Sequence, residues 1–390
     1  MANVIKLKRG TSTPTTSDIV DGEVAIDKSA QKFYVNDGGT VKEIGGGGGV
    51  ESDAQDNTVA GTNAGDSFDG TNAEDNTLYG KNAGTAITSG DQNTCIGNDA
   101  GKSIDTASRL TAIGNRAGED VTGQNNTIVG ANAGLALTSG QSCTFVGNSA
   151  GSAVTATGIT AIGKSAGKNS GTYGTYLGYL AGENTTGQGS TFIGYETGKD
   201  STGNNNTAIG RETMYSSNSG SNSLAVGVNA LYSYSGSSNS GNVALGQASL
   251  RLLTTGTGNL GCGRVSGTSI TTGIENTLLG NLAGYGSDGT GALTIGDNNI
   301  IVGHAALPSA VDVDNEITLG NSSITKLRIP GLSFSISATA VTNGAAFYEN
   351  AKTVAADYTL SGSNAMAAGP ITINSSVTVT VSSGDTLTIV

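Results

Sequence analysis

The sequence predicts an all-β fold: an elongated homotrimeric fibre built on a parallel β-roll or β-solenoid, with a small β domain at each end. Three observations carry that expectation. A phrase of the form Thr-x-aliphatic-Gly recurs at steps of roughly 15 to 19 residues, the kind of period that solenoids show. Glycine is 62 of 390 residues, proline 4 and tryptophan 0, and no Gly-X-Y triplet runs through the chain, which excludes collagen. Hydrophobic residues are 36% of the chain, many of them alanine, while ordering the backbone costs on the order of 1–2 kcal/mol per residue. A lone stack of such thin coils buries little apolar surface, so copies are expected to share a core, as a trimer.

Residues 1–44 read as a small all-β unit. Val4, Ile5 and Leu7 begin a strand, Asp21-Gly22 turns, and Glu23-Val24-Ala25-Ile26 forms a second strand. Lys32-Phe33-Tyr34-Val35 is a third, followed by the turn Asn36-Asp37-Gly38-Gly39 and a last strand from Val41 to Ile44. Residues 45–56 read as a linker, because Gly45, Gly46, Gly47, Gly48 and Gly49 make an unbroken glycine run, which behaves as a flexible coil. No Lys-Ser/Thr follows it, so it is not a phosphate-binding loop.

Residues 57–303 are the repeat shaft. The phrase stands at Thr58, Thr77, Thr94, Thr111, Thr127, Thr144, Thr160, Thr175, Thr191 and Thr207, persists without Thr to Gly263, and returns at Thr277 and at Thr294-Ile-Gly296. Thr and the aliphatic residue sit at i and i+2, so they share one strand face, and the residue between them points the other way. The aliphatic residues, Ile113 and Ile162 among them, are expected to form one continuous stack, and Tyr176 to pack in the interior of the trimer. The glycine that follows permits a tight corner at positive φ. Residues 304–331 are a transition, and 332–390 a distal unit in which Thr372 to Val381 alternates as one half-buried strand. Ser383-Gly384 turns it, and Leu387 to Val390 ends on a strand.

Net charge is −12, which argues against nucleic-acid or anionic-membrane partners, since both need Lys/Arg clusters. The start of the chain has no apolar signal-peptide core, and no stretch is long and apolar enough to insert in a membrane. The protein is expected to be made in the cytoplasm and released by lysis. Cys95, Cys143 and Cys262 sit on separate coils and read as buried thiols acting as small hydrophobes.

Chemistry is sparse. His304 is the only histidine, and three copies on a trimer axis would make it a weak metal candidate. No spaced ligand cluster accompanies it, and no metal or cofactor is expected. Asp312, Asp314 and Glu316 alternate without any calcium-loop pattern and read as a solvated strand face. Seven tyrosines from Tyr173 to Tyr234 offer aromatic area for a mid-shaft glycan contact. A threonine column could order water as in ice-binding proteins, but the i+2 position is aliphatic. Tyr348, Tyr358 and Asn364 are the candidate receptor-contact residues of the distal unit, with the receptor itself unknown.

Three segments resemble known families. Ile5-Lys-Leu-Lys-Arg-Gly-Thr11, Asp21-Gly-Glu-Val-Ala-Ile-Asp27 and Lys32-Phe-Tyr-Val-Asn-Asp-Gly38 resemble the N-terminal domain of phage major tropism determinants and related tail-fibre proteins. Asn206-Thr-Ala-Ile-Gly210 and Leu110-Thr-Ala-Ile-Gly114 are similar to the head repeats of trimeric autotransporter adhesins, although the coils here are longer. Glu316 to Gly331, and Ala367-Ala-Gly-Pro-Ile-Thr-Ile-Asn374, are similar to the closing segments of phage fibres. The resemblance implies a structural phage tail fibre in the virion. It implies that residues 1–44 attach to a tail or baseplate protein, and that the distal end recognises a host surface glycan or outer-membrane protein. That function is binding, not catalysis. A polysaccharide-degrading tail spike and a cell-surface trimeric adhesin are the alternative readings. The lack of Trp and the 13% charged content count against the first, and the missing export signal against the second.

Overall fold

The structure is a computed structural model. It describes residues 8–29, 32–44, 51–68, 70–216, 219–236, 239–286, 291–328 and shorter segments between 335 and 389. Among these every regular element is a strand. The chain forms two compact units, residues 1–321 and 322–390.

The first unit opens with a four-stranded sheet, β1 (Lys8–Gly10), β2 (Val24–Asp27), β3 (Lys32–Asp37) and β4 (Thr40–Ile44), in that spatial order. β1 runs parallel to β2, and the other two pairs are antiparallel. The expected strand start at residues 4–7 and the glycine run 45–49 lie outside the described residues. Gly38 and Gly39, at φ 60° and 81°, make the two-residue hairpin between β3 and β4, as a primed turn requires. Asn36 is buried and its Nδ2 donates to the Ile19 carbonyl at 2.7 Å. It thereby ties the loop before β2 to the sheet.

The rest of this unit is a parallel β-solenoid with one three-residue strand per coil. β5 (Glu51–Ser52) covers the first strand edge by antiparallel pairing with β6 (Thr58–Ala60). There follow β7 (Thr77–Tyr79), β8 (Thr94–Ile96), β9 (Thr111–Ile113), β10 (Thr127–Val129), β11 (Thr144–Val146), β12 (Thr160–Ile162) and β13 (Thr175–Leu177). The series continues with β14 (Thr191–Ile193), β15 (Thr207–Ile209), β16 (Leu224–Val226), β17 (Val243–Leu245), β18 (Leu260–Cys262), β19 (Thr277–Leu279), β20 (Ile300–Val302) and β21 (Ile317–Leu319). Each pairs in parallel with the next, in constant register, and the ladder is open, with β21 paired only to β20 among the described residues. The repeat at Thr294-Ile-Gly296 is not a strand. The strand is β20, and the Gly296 carbonyl instead accepts from Asn276 Nδ2 at 2.8 Å, as the Gly273 carbonyl does from Asn259 at 2.8 Å. The ladder also runs on past Gly303 into β21.

Three columns fill the interior. The first is the middle residue of each strand, fully buried in Leu78, Cys95, Ala112, Ile128, Phe145, Tyr176 and Phe192 alike. The second is the Ala of each Ala-Gly pair, such as Ala100, Ala117 and Ala166. The third includes Ile87, Ile104, Val121 and Leu137. Volumes compensate between columns, as close packing demands. Where the first column carries Tyr176 and Phe192, the third carries Thr185 and Ser201. Where it carries Gly261, Leu250 reaches in, its Cγ 2.9 Å from the position a Cβ would occupy. This corrects the expected orientation. Tyr176 belongs to the core of its own coil, and Ile113 and Ile162 point outward, 37% and 38% exposed. A three-residue strand turns only one side chain inward, and here it is the central one.

Alongside these columns runs a buried polar one that the sequence reading did not identify. Asn57, Asn76 and Asn93 stand immediately before their strands. Each Oδ1 accepts the backbone N–H of the equivalent residue one coil on, from Asn76 at 2.9 Å, Asn93 at 3.0 Å and Leu110 at 2.9 Å. Asn242, Asn259, Asn276 and Asn299 repeat the arrangement, ending on the Glu316 N–H at 2.9 Å.

Tyr176 gives a test of the core. Its hydroxyl is buried with neighbouring Ser170 Oγ as its one polar contact, and neither makes a hydrogen bond of good geometry. An unsatisfied buried polar atom costs about 1–3 kcal/mol, so Tyr176→Phe is expected to raise the melting temperature by a few degrees in a thermal scan. Burial also pushes the phenol up to about 12, from 10.0. A raised pKa means the folded state favours the protonated form. That contribution is complete below pH 10 and is lost as pH climbs through 12. Tyr176→Phe should therefore also flatten the alkaline limb of the stability curve.

The second unit coils differently. β22 (Lys326–Arg328) and β23 (Ser335–Ser337) form an antiparallel pair. Then β24 (Thr353–Val354), β25 (Tyr358–Leu360) and β26 (Ala365–Ala367) each pair in parallel with the strand three places later. Those partners are β27 (Thr372–Ile373), β28 (Val379–Val381) and β29 (Leu387–Ile389). This is a coil of two rungs with three strands per rung. The single strand expected over 372–381 is broken at Ser375–Ser376, where the Asn374 carbonyl accepts from Ser376 N and Val377 N at 3.0 Å each.

Candidate functional site

The most regular surface of the solenoid is the outward face of its strands. Inward burial of the central residue turns Thr and the aliphatic residue of each phrase outward together. The result is a threonine column beside an apolar one, with Ile96, Ile113, Ile162, Leu177, Ile209 and Leu279 between 36% and 46% exposed. Thr111 to Thr207 stand in direct register, as do Ile113 to Ile209. No charge interrupts either column from β7 to β20. Cys262 occupies the apolar column and is partly exposed, whereas Cys95 and Cys143 are buried. Burial pushes the Cys95 thiol up to about 12, so it is inert.

The mid-chain tyrosines form two outer columns. The residue after the phrase glycine is Lys164, Tyr179 and Tyr195 on consecutive coils. Tyr179 and Tyr195 stack at 5.3 Å with planes 10° apart, and Lys164 Nζ lies 5.7 Å from the Tyr179 centroid. Four positions further on, Lys168, Glu183, Lys199, Tyr215, Tyr232 and Arg251 follow one another. Glu183 pairs with both lysines at 3.9 and 3.7 Å. Lys199 lies over Tyr215 at 5.8 Å, Tyr215 stacks on Tyr232 at 5.2 Å, and Arg251 lies over Tyr232 at 5.4 Å. Burial opposes the charge of Lys199, but Tyr215, Glu183, Glu196 and Asp200 outweigh it and its pKa is raised. The faces of Tyr179, Tyr215 and Tyr232 are taken by one another and by cations. Such pairs contribute about 0.5–1.5 kcal/mol each and tie coils together. Tyr173 and Tyr195, 67% and 45% exposed, stay open to solvent beside these stacks.

Of the remaining candidates, His304 is exposed on the outer surface, its Nδ1 3.2 Å from the Asn281 carbonyl. No group of three potential ligands gathers around a metal position among the described residues. Asp312 lies in a turn, and Asp314 and Glu316 in the irregular connection that leads into β21, rather than on a strand. Asp314 Oδ1 accepts the Asp297 N–H at 2.7 Å. Glu316 accepts from Ser309 and from Thr318, bonds that hold its carboxyl below the usual value. Tyr348 and Asn364 lie outside the described residues, and Tyr358 begins β25, in register with Val379. An open cleft of about 260 Å³ in the first sheet is lined by Lys8, Arg9, Pro14, Asp18, Ile19 and Ile26. Lys8 there is already committed to Glu23 at 2.7 Å and to the Asp18 carbonyl at 2.8 Å. No helix among the described residues is long and apolar enough to cross a membrane. No family model, curated protein or solved structure matches this chain.

Proposed function

We propose that the protein is a structural homotrimer, a phage tail fibre in the virion. In this reading residues 1–44 attach to a tail or baseplate protein, and the distal end meets a host surface glycan or outer-membrane protein. One observation carries the trimer: the outward Thr and aliphatic columns, uncharged and in register over the length of the ladder. Sixteen strands about 4.8 Å apart make a face about 75 Å long and about 10 Å wide. That area, on the order of 750 Å² per copy summed over its two neighbours, is comparable to the ~800 Å² that one partner contributes to a standard interface. The role of the ends rests on the resemblance of the N-terminal phrases to phage tail-fibre proteins. The resident chemistry favours contact over catalysis, since Asp314 and Glu316 are committed to hydrogen bonds with Asp297 N and with Ser309 and Thr318.

Light scattering on the full chain is expected to give three times 38.5 kDa; a folded monomer would refute the trimer. Ile113→Asp with Ile162→Asp sharpens the test. On an isolated coil both positions face water, and surface substitutions cost within about 0.5 kcal/mol. Between copies each would bury a carboxylate at a cost of several kcal/mol. The double variant is expected to lose the trimer while single-chain β content persists. Labelled antibodies against residues 1–44 that bound the far tips of particles, rather than the tail, would overturn the attachment role.

A further inference from the structure

We infer that the three parallel strand pairs β24 to β29 are a clamp whose core is completed by the same strands of further copies of this chain. The inference rests on the trimer reading and deepens it. In the first unit the interior residues of a coil are fully buried because coils stack on both sides. In the second, no described side chain is buried: Ile373 is 48% exposed, Val381 42%, and Val377, Val379 and Leu387 are half-buried. Each of the three parallel pairs has only two strands. A two-stranded pair is marginal by itself, and stacked coils need about three repeats before they hold. Among the described side chains, backbone pairing is thus present without the apolar burial that normally accompanies it.

Charge identifies the occupant. From Thr353 to Val390 the only side chains charged at neutral pH are Asp357 and Asp385. Asp357 is already used between the rungs, where its Oδ1 accepts the Thr378 N–H at 2.7 Å. A surface so poor in charge has the composition of an interface centre rather than of a solvated face. Two dispersed aspartates give an oppositely charged partner little to match. A second and third copy bring an equally neutral, equally apolar surface without repulsion. They arrive at high local concentration because the solenoids already hold the chains together.

Val381→Asp tests this on the full chain. A single chain tolerates the substitution at an exposed position, whereas a shared core does not. Hydrogen exchange is expected to accelerate at least tenfold over 353–389, with solenoid amides unchanged and the mass still trimeric. Isotope-labelled wild-type chains co-assembled with excess variant chains are expected to lose protection over 353–389 too, because each copy's core is completed by the others. Unchanged exchange in the variant would overturn the clamp, as would an effect confined to the variant chains. So would wild-type trimers in which 353–389 is protected only after host-cell surface material is added, which would assign the surface to a receptor. A monomeric wild-type mass refutes the trimer reading itself and is told apart by mass alone.

Discussion

Gly178→Ala is expected to open the solenoid around β12 to β14 and to lower its melting temperature by about 4–5 °C, from a loss of about 3 kcal/mol or more. Two causes act together. Gly178 has φ of 138°, a conformation that an L side chain rarely adopts. A Cβ there would lie 2.3 Å from the Gly194 carbonyl oxygen and 2.7 Å from its carbon. Neither strand can withdraw, because Gly178 N donates to the Ile162 carbonyl and Gly194 N to the Leu177 carbonyl, both at 2.8 Å. The clash is with backbone, so no side-chain rotation relieves it. Circular dichroism melting and hydrogen exchange across residues 160–193 would check it; an unchanged melt would mean that the coils are not spaced as described.

The second large effect is expected from Asn259→Ala. Asn259 Oδ1 accepts from Asn276 N at 3.0 Å and Asn276 Nδ2 at 3.1 Å, and its Nδ2 donates to the Gly273 carbonyl at 2.8 Å. Truncation strands these groups in the interior with nothing to replace the amide. At about 1–3 kcal/mol for each buried group left unsatisfied, the loss is expected to reach about 3 kcal/mol. Asn98→Ala is the control. Its side chain is exposed; its Nδ2 reaches the Lys81 carbonyl at only 3.4 Å and its Oδ1 accepts from the exposed Asn115 Nδ2 at 3.1 Å, so its effect is expected to stay within about 0.5 kcal/mol. Equal destabilisation by both changes would remove the asparagine column from the account of stability.

The solenoid was legible in the sequence because its glycine corner and its strand have fixed spacing, and the phrase around Thr111 or Thr191 records both. Orientation was not legible from that spacing. In a three-residue strand the flanking pair and the central residue alternate equally well either way up, and hydrophobicity does not separate Ala112 from Ile113. The deciding information lay in the central position itself. It ranges from Gly261 to Tyr176, and such variation survives only where another column can take up the volume, as Leu250 and Thr185 do. The asparagine column was written plainly as Asn before Thr at residues 57, 76 and 93. It also separates the true strand after Asn299 from the look-alike at Thr294. The stacking of Tyr215 on Tyr232 across coils depends on positions 17 residues apart, which become neighbours only once the register is known. In the second unit, the alternation over 372–381 concealed a break, since Asn374-Ser-Ser376 fits both a strand and a turn.

Coil length has a practical meaning. Asn276 and Asn299 are joined through their side chains although 23 residues separate them, whereas Asn169 and Asn184, bonded in the same cross-coil manner, are only 15 apart. The three-residue strands on either side keep their register regardless. The extra chain between β19 and β20 is accommodated in the connection that leads from the Ala-Gly corner to the next asparagine, and the ladder does not notice it. Peptides spliced into that connection on successive coils would therefore be displayed in a row with a pitch of about 4.8 Å. The molecule is in this sense a ruler, on which binding loops could be placed at chosen intervals without redesigning the core.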